Sequence, residues 1–352
     1  MLQISTSSLR PTRQFVTAIL PQPDEVQTLR ARRPSRVIAC VVGVAVVLSF
    51  ASPHHAEARG AALVVALRDS GGIATGSKAG RAVLRGAAAF LDSLRGRSGK
   101  LRARFLTPTR VASIPVLRTL FGDRKLPHAG MAVLTAEEES TLRVFVMRPF
   151  SEKVRGRIGS YRIGFFPGEA RAVRSSAYEN PEGFVEVTED NRNTAISEHF
   201  RLSDFLTHDQ APVWPKYLVL REPLIDKLEL VIAELKSMGV AVGKLHVMSG
   251  FRTPQYNAQG VGAGGRVKDS RHQFGDAADV YVVNGTRDWM GDLNGDGRVD
   301  TRDAQILADA ADRVERSHPD LVGGVGIYRA TTAHGPFVHI DVRGTRARWS
   351  TL

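Results

Sequence analysis

Two histidines and an aspartate near the carboxy-terminal end are spaced as metal ligands could be. His272 and Asp279 are a nitrogen and an oxygen donor seven residues apart, with the small residues Gly275, Ala277 and Ala278 between them. Small residues let the backbone fold tightly enough to bring both side chains to one ion. His339 lies in an alternating run in which Phe337, His339 and Asp341 share one face and Val338, Ile340 and Val342 the other, the pattern of a strand. Three protein ligands with an open fourth position is the arrangement of hydrolytic zinc, which lowers the pKa of its bound water and polarises a carbonyl. On spacing alone, a core or surface histidine is the commoner explanation, so the weight falls on the strings around these residues. The single cysteine, Cys40, excludes a disulfide framework within the chain and a cysteine-rich metal site.

A second pattern suits a harder cation. Asp292, Asn294, Asp296, Asp300 and Asp303 fall at positions 1, 3, 5, 9 and 12 of a twelve-residue loop, with Gly297 at position 6 and the Arg298 carbonyl at position 7. This is the spacing of an EF-hand-type calcium loop. Aspartate closes it where glutamate is usual, as in dockerin-like loops, and the shorter arm weakens binding. An acidic, glycine-rich turn without an ion is the alternative. The loop lies between Asp279 and His339, so calcium there would stiffen an insertion beside the first site.

The elements that must position these groups follow from periodicity. Glu222-Pro223 opens a helix in which Leu224, Leu228, Val231, Ile232 and Leu235 recur at helical spacing, ending near Gly239. Residues 242–248 read as a strand that delivers Ser249-Gly250-Phe251-Arg252 to a turn, and 304–314 as a helix. Ser203 can cap a short helix. Further upstream, 141–146, 161–166 and 184–187 read as strands separated by Pro and Gly, giving a small β-rich module over 131–192 ahead of a domain over 193–352.

Charge is unevenly spread. Of a net +12, residues 1–133 hold 20 Lys and Arg against 6 Asp and Glu, so the rest of the chain is slightly acidic. No aromatics interleave with the arginines and no nucleic-acid-binding motif stands out, so no nucleic-acid partner is expected. Arg30, Arg32, Arg33 and Arg36 precede an apolar run over 37–51, followed by Ala56-Glu57-Ala58. This is a secretory signal with a long lead-in over 1–58, the run being short for a membrane span, with an uncleaved membrane anchor as the alternative. Residues 59–130 read as a basic linker, poorly structured or helical around 79–97, with a membrane or an anionic wall polymer as candidate contacts.

The string Ser270-x-His272-x-x-Gly275-x-Ala277-x-Asp279 resembles the signature of the D-alanyl-D-alanine carboxypeptidase-like zinc peptidases. Upstream, Ser249-Gly250-Phe251-Arg252 is similar to that family's Ser-Gly-aromatic-Arg turn. Downstream, Gly323-Gly324-Val325-Gly326-Ile327-Tyr328 leads to Phe337-Val338-His339-Ile340-Asp341, and this order with Trp349 resembles the murein endopeptidase K branch. The resemblance covers about 195–352, less than half of the chain. It implies an α+β fold of the hedgehog/carboxypeptidase type, zinc held by His272, Asp279 and His339, and Arg252 orienting a substrate carboxylate or carbonyl. It further implies a periplasmic or envelope-associated hydrolase of peptidoglycan stem peptides or crosslinks, endopeptidase or carboxypeptidase. One position departs from the pattern: many members carry Glu, Asp or His three residues before the last ligand as general base, and here Pro336 stands there. Asp341 and His334 are the remaining candidates, Asp341 being equally suited to fix the His339 tautomer. A non-catalytic peptidoglycan-binding protein that keeps the fold, or a calcium-dependent extracellular scaffold, are the functional alternatives.

Overall fold

The structure is a computed structural model that describes residues 45–48, 62–67, 95–114, 117, 131–136, 140–262 and 266–351. Among them the chain runs β1 (Ala45–Leu48), β2 (Ala62–Leu67), β3 (Ala103–Leu106), α1 (Pro108–Ser113), β4 (Met131–Ala136), β5 (Ser140–Val146), β6 (Arg148–Pro149), β7 (Arg157–Ile158), β8 (Tyr161–Arg162), α2 (Pro167–Ala170), β9 (Gly183–Val187) and β10 (Lys216–Leu218). It continues through α3 (Glu222–Ser237), β11 (Lys244–Ser249), α4 (Pro254–Ala258), β12 (Ala277–Val283), α5 (Thr301–Ser317), β13 (Gly324–Tyr328), β14 (Phe337–Asp341) and β15 (Ala347–Thr351). Sheets and helices are mixed, and the last sheet carries its two long helices on one face, an arrangement of the α+β kind.

That last sheet has the order β11-β12-β14-β13-β15, antiparallel except where β15 runs beside β13. Alternation splits its residues between two faces. Ala278, Val280, Val282, Val325, Val338 and Ile340 form the apolar face and join a core that includes Leu224, Leu228 and Leu235 of α3 and Leu307, Ala311 and Val314 of α5. The register sets Ser249, Asp279, His339 and Gly326 side by side across four strands, with Trp349 next in line on β15. The opposite face is therefore the one that carries the polar groups.

Both helices end as their sequences dictate. In α3, Gly239 has φ +79°, and Val240 N–H reaches back to the Leu235 carbonyl at 3.0 Å. For α5, Asp300 accepts from Arg302 N–H at 2.7 Å while Asp303 accepts from Asp300 N–H at 2.8 Å, a reciprocal cap that starts the helix three residues before the expected 304. At 202–205 a 3-10 turn forms, but Asp204 caps it by accepting from Arg201 N–H at 2.7 Å, and Ser203 does not.

The strand expected over 161–166 stops at Arg162 in a short hairpin with β7. Gly164 has φ +85° and lies against the Gln255 backbone, so the chain must turn there before Pro167 opens a helix. The boundary expected at 192/193 is crossed by a sheet, since β9 pairs with β6 on one side and β10 on the other. Parts of the stretch read as a linker are strands: β2 and β3 join β1, β4 and β5 in one sheet of order β1-β2-β4-β5-β3. Of the apolar run 37–51 only 45–48 is described, as β1, and the helix expected over 79–97 lies outside the described residues up to 94, with 95–97 non-helical. No helix of the described residues is long and apolar enough to cross a membrane.

Candidate metal centre

His272 is brought to the polar face by a 3-10 turn, Arg271–Phe274, which Gly275 ends with φ +68°. A Cβ on Gly275 would lie 2.3 Å from the Val219 carbonyl oxygen, so the position needs glycine for both its conformation and its contact. The chain then enters β12, and Asp279 is the third residue of that strand. Turn, left-handed residue and strand entry together account for the seven-residue spacing. Arg271 clamps the turn by pairing with the buried carboxylate of Asp276 and donating to the Ala177 carbonyl at 2.6 Å.

Three ligand atoms converge. His272 Nε2 is 3.2 Å from Asp279 Oδ1 and 3.2 Å from His339 Nδ1, and His339 Nδ1 is 3.0 Å from Asp279 Oδ1. All three residues are buried. Donors bound at ~2.0–2.2 Å to one tetrahedral ion stand ~3.3 Å apart, so these separations fit within a few tenths of an ångström. The proton inventory points the same way. His272 Nδ1 lies 2.7 Å from the Gly250 carbonyl, which only accepts, so the neutral ring carries its proton there and presents a bare Nε2. His339 Nε2 lies 3.0 Å from Asp341 Oδ2 and likewise donates to it, leaving Nδ1 bare. In these tautomers two nitrogen lone pairs and a carboxylate oxygen face one another, an arrangement suited to a cation. These residues can hold a metal ion.

The electrostatics agree. Burial lowers the His272 pKa. For His339 burial acts in the same direction, but bonds to Asp279 and Asp341 outweigh it and raise the pKa. Burial alone would raise Asp279 and Asp341; instead their histidine and arginine partners hold both well below the usual carboxylate range.

The surrounding residues orient the ligands. Arg252, expected to hold substrate, spends two nitrogens within the protein: Nη2 pairs with Asp279 Oδ2, and Nε donates to Ser249 Oγ at 2.8 Å. This turns Asp279 so that Oδ1 alone faces the histidines. Asp341 does not face the three clustered ligand atoms. It is fully buried, lies at the Nε2 side of His339 with the imidazole between it and the ligand cluster, and is fixed by Arg343 and by Gly324 N–H at 2.8 Å. Its role is to position the His339 ring. His334 is half-buried in the loop before β14, its ring centroid 5.0 Å from that of Phe337, and its Nδ1 donates to the Gly335 carbonyl at 2.8 Å.

Trp349 and Tyr328 complete this face. The indole lies over Gly326, where a Cβ would come within 2.2 Å of it, and its centroid is 5.2 Å from that of His339. Its Nε1–H donates to the Tyr328 hydroxyl at 2.9 Å, and the Tyr328 ring stacks on Phe337 at 4.6 Å. A Cβ on Gly324 would lie 2.4 Å from Asp341 Oδ2, so the glycines of the 323–326 string are the space in which Asp341 and Trp349 sit. Sequence reasoning quoted that string without a reason; two small residues opposite a strand carrying His and Asp are its signal. Lys227, on the apolar side of α3, was missed altogether: its ammonium, fully buried, donates to Glu315 at 2.6 Å and to the Asp341 carbonyl at 2.8 Å.

The loop over 292–303 is arranged differently. Asp292 accepts from Gly295 N–H at 2.7 Å and Gly297 N–H at 2.8 Å, Asp296 accepts from Arg298 N–H, and Asp303 turns inward to accept from Leu293 N–H at 2.7 Å. Arg302 pairs with both Asp296 and Asp300. Among the described residues, the His, Cys, Asp and Glu side chains gathered closely enough for one ion are His272, Asp279 and His339, and the loop carboxylates are not brought together in that way.

No protein-family model, no curated protein and no solved structure matches this chain.

Proposed function

We propose that the chain is an exported zinc peptidase that hydrolyses peptidoglycan stem peptides or their crosslinks, its carboxy-terminal part forming a D-alanyl-D-alanine carboxypeptidase-like domain. The observation that supports this most is the convergence of His272 Nε2, Asp279 Oδ1 and His339 Nδ1 within 3.0–3.2 Å of one another. Two nitrogens and one carboxylate oxygen are a common donor set of hydrolytic zinc sites. Zinc bound there would polarise a scissile carbonyl and lower the pKa of a water. The motifs around the ligands support the cell-wall peptide as substrate class, and the signal-like segment ahead of residue 59 supports export.

The chain's own groups divide the remaining work. Arg252 and Ser249 fix the Asp279 carboxylate, and Asp341 with Arg343 fixes the His339 ring. With Nδ1–H committed to the Gly335 carbonyl, His334 keeps Nε2 as an acceptor, which makes it the group of the chain suited to move a proton. Arg252 Nη1 makes no hydrogen bond among the described residues, so it remains to meet a substrate oxygen. Calcium in the 292–303 loop belongs to the same reading and rests on spacing. Arg302 competes there for Asp296 and Asp300, so binding is expected to be weak.

Elemental analysis of the purified protein should find one zinc per chain, lost in His272→Ala. Crosslinked murein incubated with the protein should release muropeptides, and a chelator should stop the release. Absence of zinc would sink the metal assignment. Zinc without chelator-sensitive release would favour the non-catalytic peptidoglycan-binding alternative, for which Pro336 in place of a titratable residue speaks.

A further inference from the structure

The Tyr328 hydroxyl has been given no task by the metal cluster, yet its surroundings are built. Tyr328 pairs with Phe337 and lies on the ligand-bearing face of the sheet, one step along β13 from Gly326, which itself pairs with His339. The flat stack of its ring on Phe337, at 4.6 Å and 2°, fixes the ring plane. Trp349 Nε1–H, at 2.9 Å, fixes the hydroxyl oxygen. An indole nitrogen only donates, so the phenol oxygen is the acceptor in this bond and its own proton is left over. Among the described residues that hydroxyl makes no other hydrogen bond. The charges of Asp279 and Arg252 both act on it, and with burial the leading cause its pKa is raised, which keeps the proton in place. A half-buried O–H donor is thus held beside the His272, Asp279 and His339 cluster with no acceptor among the described residues.

We infer that Tyr328 is a catalytic residue of this site, its O–H donating to the carbonyl oxygen of the peptide bond that is cut, with Trp349 as the residue that positions it. The inference rests on the peptidase reading. It adds a donor aimed at the oxygen on which negative charge develops, a role that acts on the transition state more than on bound substrate. No proton changes owner in this role, so the step needs no further reactant. It also explains why the string around Gly326 ends in Tyr328 and why an edge strand carries a tryptophan at 349: the glycine makes room for the indole, and the indole holds the phenol.

The test uses the full zinc-loaded chain, crosslinked murein as substrate, and a phosphinic dipeptide analogue of D-alanyl-D-alanine as a tetrahedral probe. Tyr328→Phe keeps the stack on Phe337 and removes only the hydroxyl. The expected result is a turnover rate lower by about 10²-fold with the half-saturating murein concentration nearly unchanged, the size expected for loss of one such donor. Phosphinate affinity, measured by calorimetry, should drop at least tenfold, and zinc content should stay at one per chain. Trp349→Phe keeps an aromatic plate and removes the N–H, and should lower turnover in the same direction by a smaller factor. Equal turnover and equal phosphinate affinity in wild type and Tyr328→Phe would overturn the inference while leaving the peptidase reading intact. Loss of zinc or of thermal stability in Tyr328→Phe would overturn it in favour of a structural role. No release and no phosphinate binding by the wild type would overturn both.

Discussion

At the scale of single residues, the chemistry of this site is governed by where protons sit. The Gly250 carbonyl and Asp341 each accept a hydrogen bond from the far nitrogen of a clustered histidine, which turns the near nitrogens towards one another. Asp341→Asn removes the charge that secures this at His339. Metal affinity should fall by about 10–100-fold, the usual cost of losing such a partner, read by competition with a chromophoric chelator. The same carboxyl sets a pH dependence. Its folded pKa lies below the unfolded value, so its contribution to stability is complete above ~4 and is lost as the pH falls towards the folded value. The difference in melting temperature between wild type and Asp341→Asn should therefore be largest near neutrality and close on acidification. Metal binding at His339 should weaken in the same direction, on acidification. A metal needs the deprotonated Nδ1 of His339, and the bonds to Asp279 and Asp341 raise the pKa of that ring, so affinity should weaken as the pH falls. Zinc titrations over a range of pH would show this; affinity that does not change on acidification would contradict this account.

At the scale of elements, one sheet does two jobs through its alternation. Val280, Val338 and Val325 bind it to α3 and α5, and the residues between them form the ligand face. Such a face has room for Trp349 only because β13 carries glycine at 324 and 326. Gly326→Ala should thus destabilise the protein, since the added methyl meets the indole at 2.2 Å and the indole is backed by His339 and Arg343. Overpacking of this kind costs about 1–3 kcal/mol, measurable by chemical unfolding. An unchanged midpoint would mean that Trp349 can move away freely. The alternation of β14 and the stripe of α3 were legible because both depend on local period alone. The early end of the strand at Arg162 was not, because it depends on Gly164 meeting the backbone of Gln255, far away in the chain.

At the scale of the whole molecule, a buried charge network ties the helices to the site. Lys227 of α3 meets Glu315 of α5 and the carbonyl of Asp341 on β14, and Glu315 also meets Arg348 on β15. Lys227→Met removes the one fully buried cation of this set and leaves Glu315 and a carbonyl short of a donor. The expected loss is about 3 kcal/mol of stability by chemical unfolding, Glu315 keeping Arg348 but losing its fully buried partner. A neutral outcome would show that Arg348 alone balances Glu315. The β10-β9-β6 sheet likewise joins segments that read as separate modules, because strand pairing is indifferent to distance along the chain. By itself the sequence determined the identity and order of His272, Asp279 and His339, the helix and strands around them, and glycine where φ must be positive; all of these rest on residue type and local period. Only the tertiary structure decided that Arg252 grips Asp279, that Asp341 stands behind His339 instead of facing the other two clustered side chains, and that Trp349 lies against His339 and donates to Tyr328. Those outcomes depend on which nitrogen of a ring faces which neighbour, and cross-strand register together with the turns at Arg252 and His272 sets that.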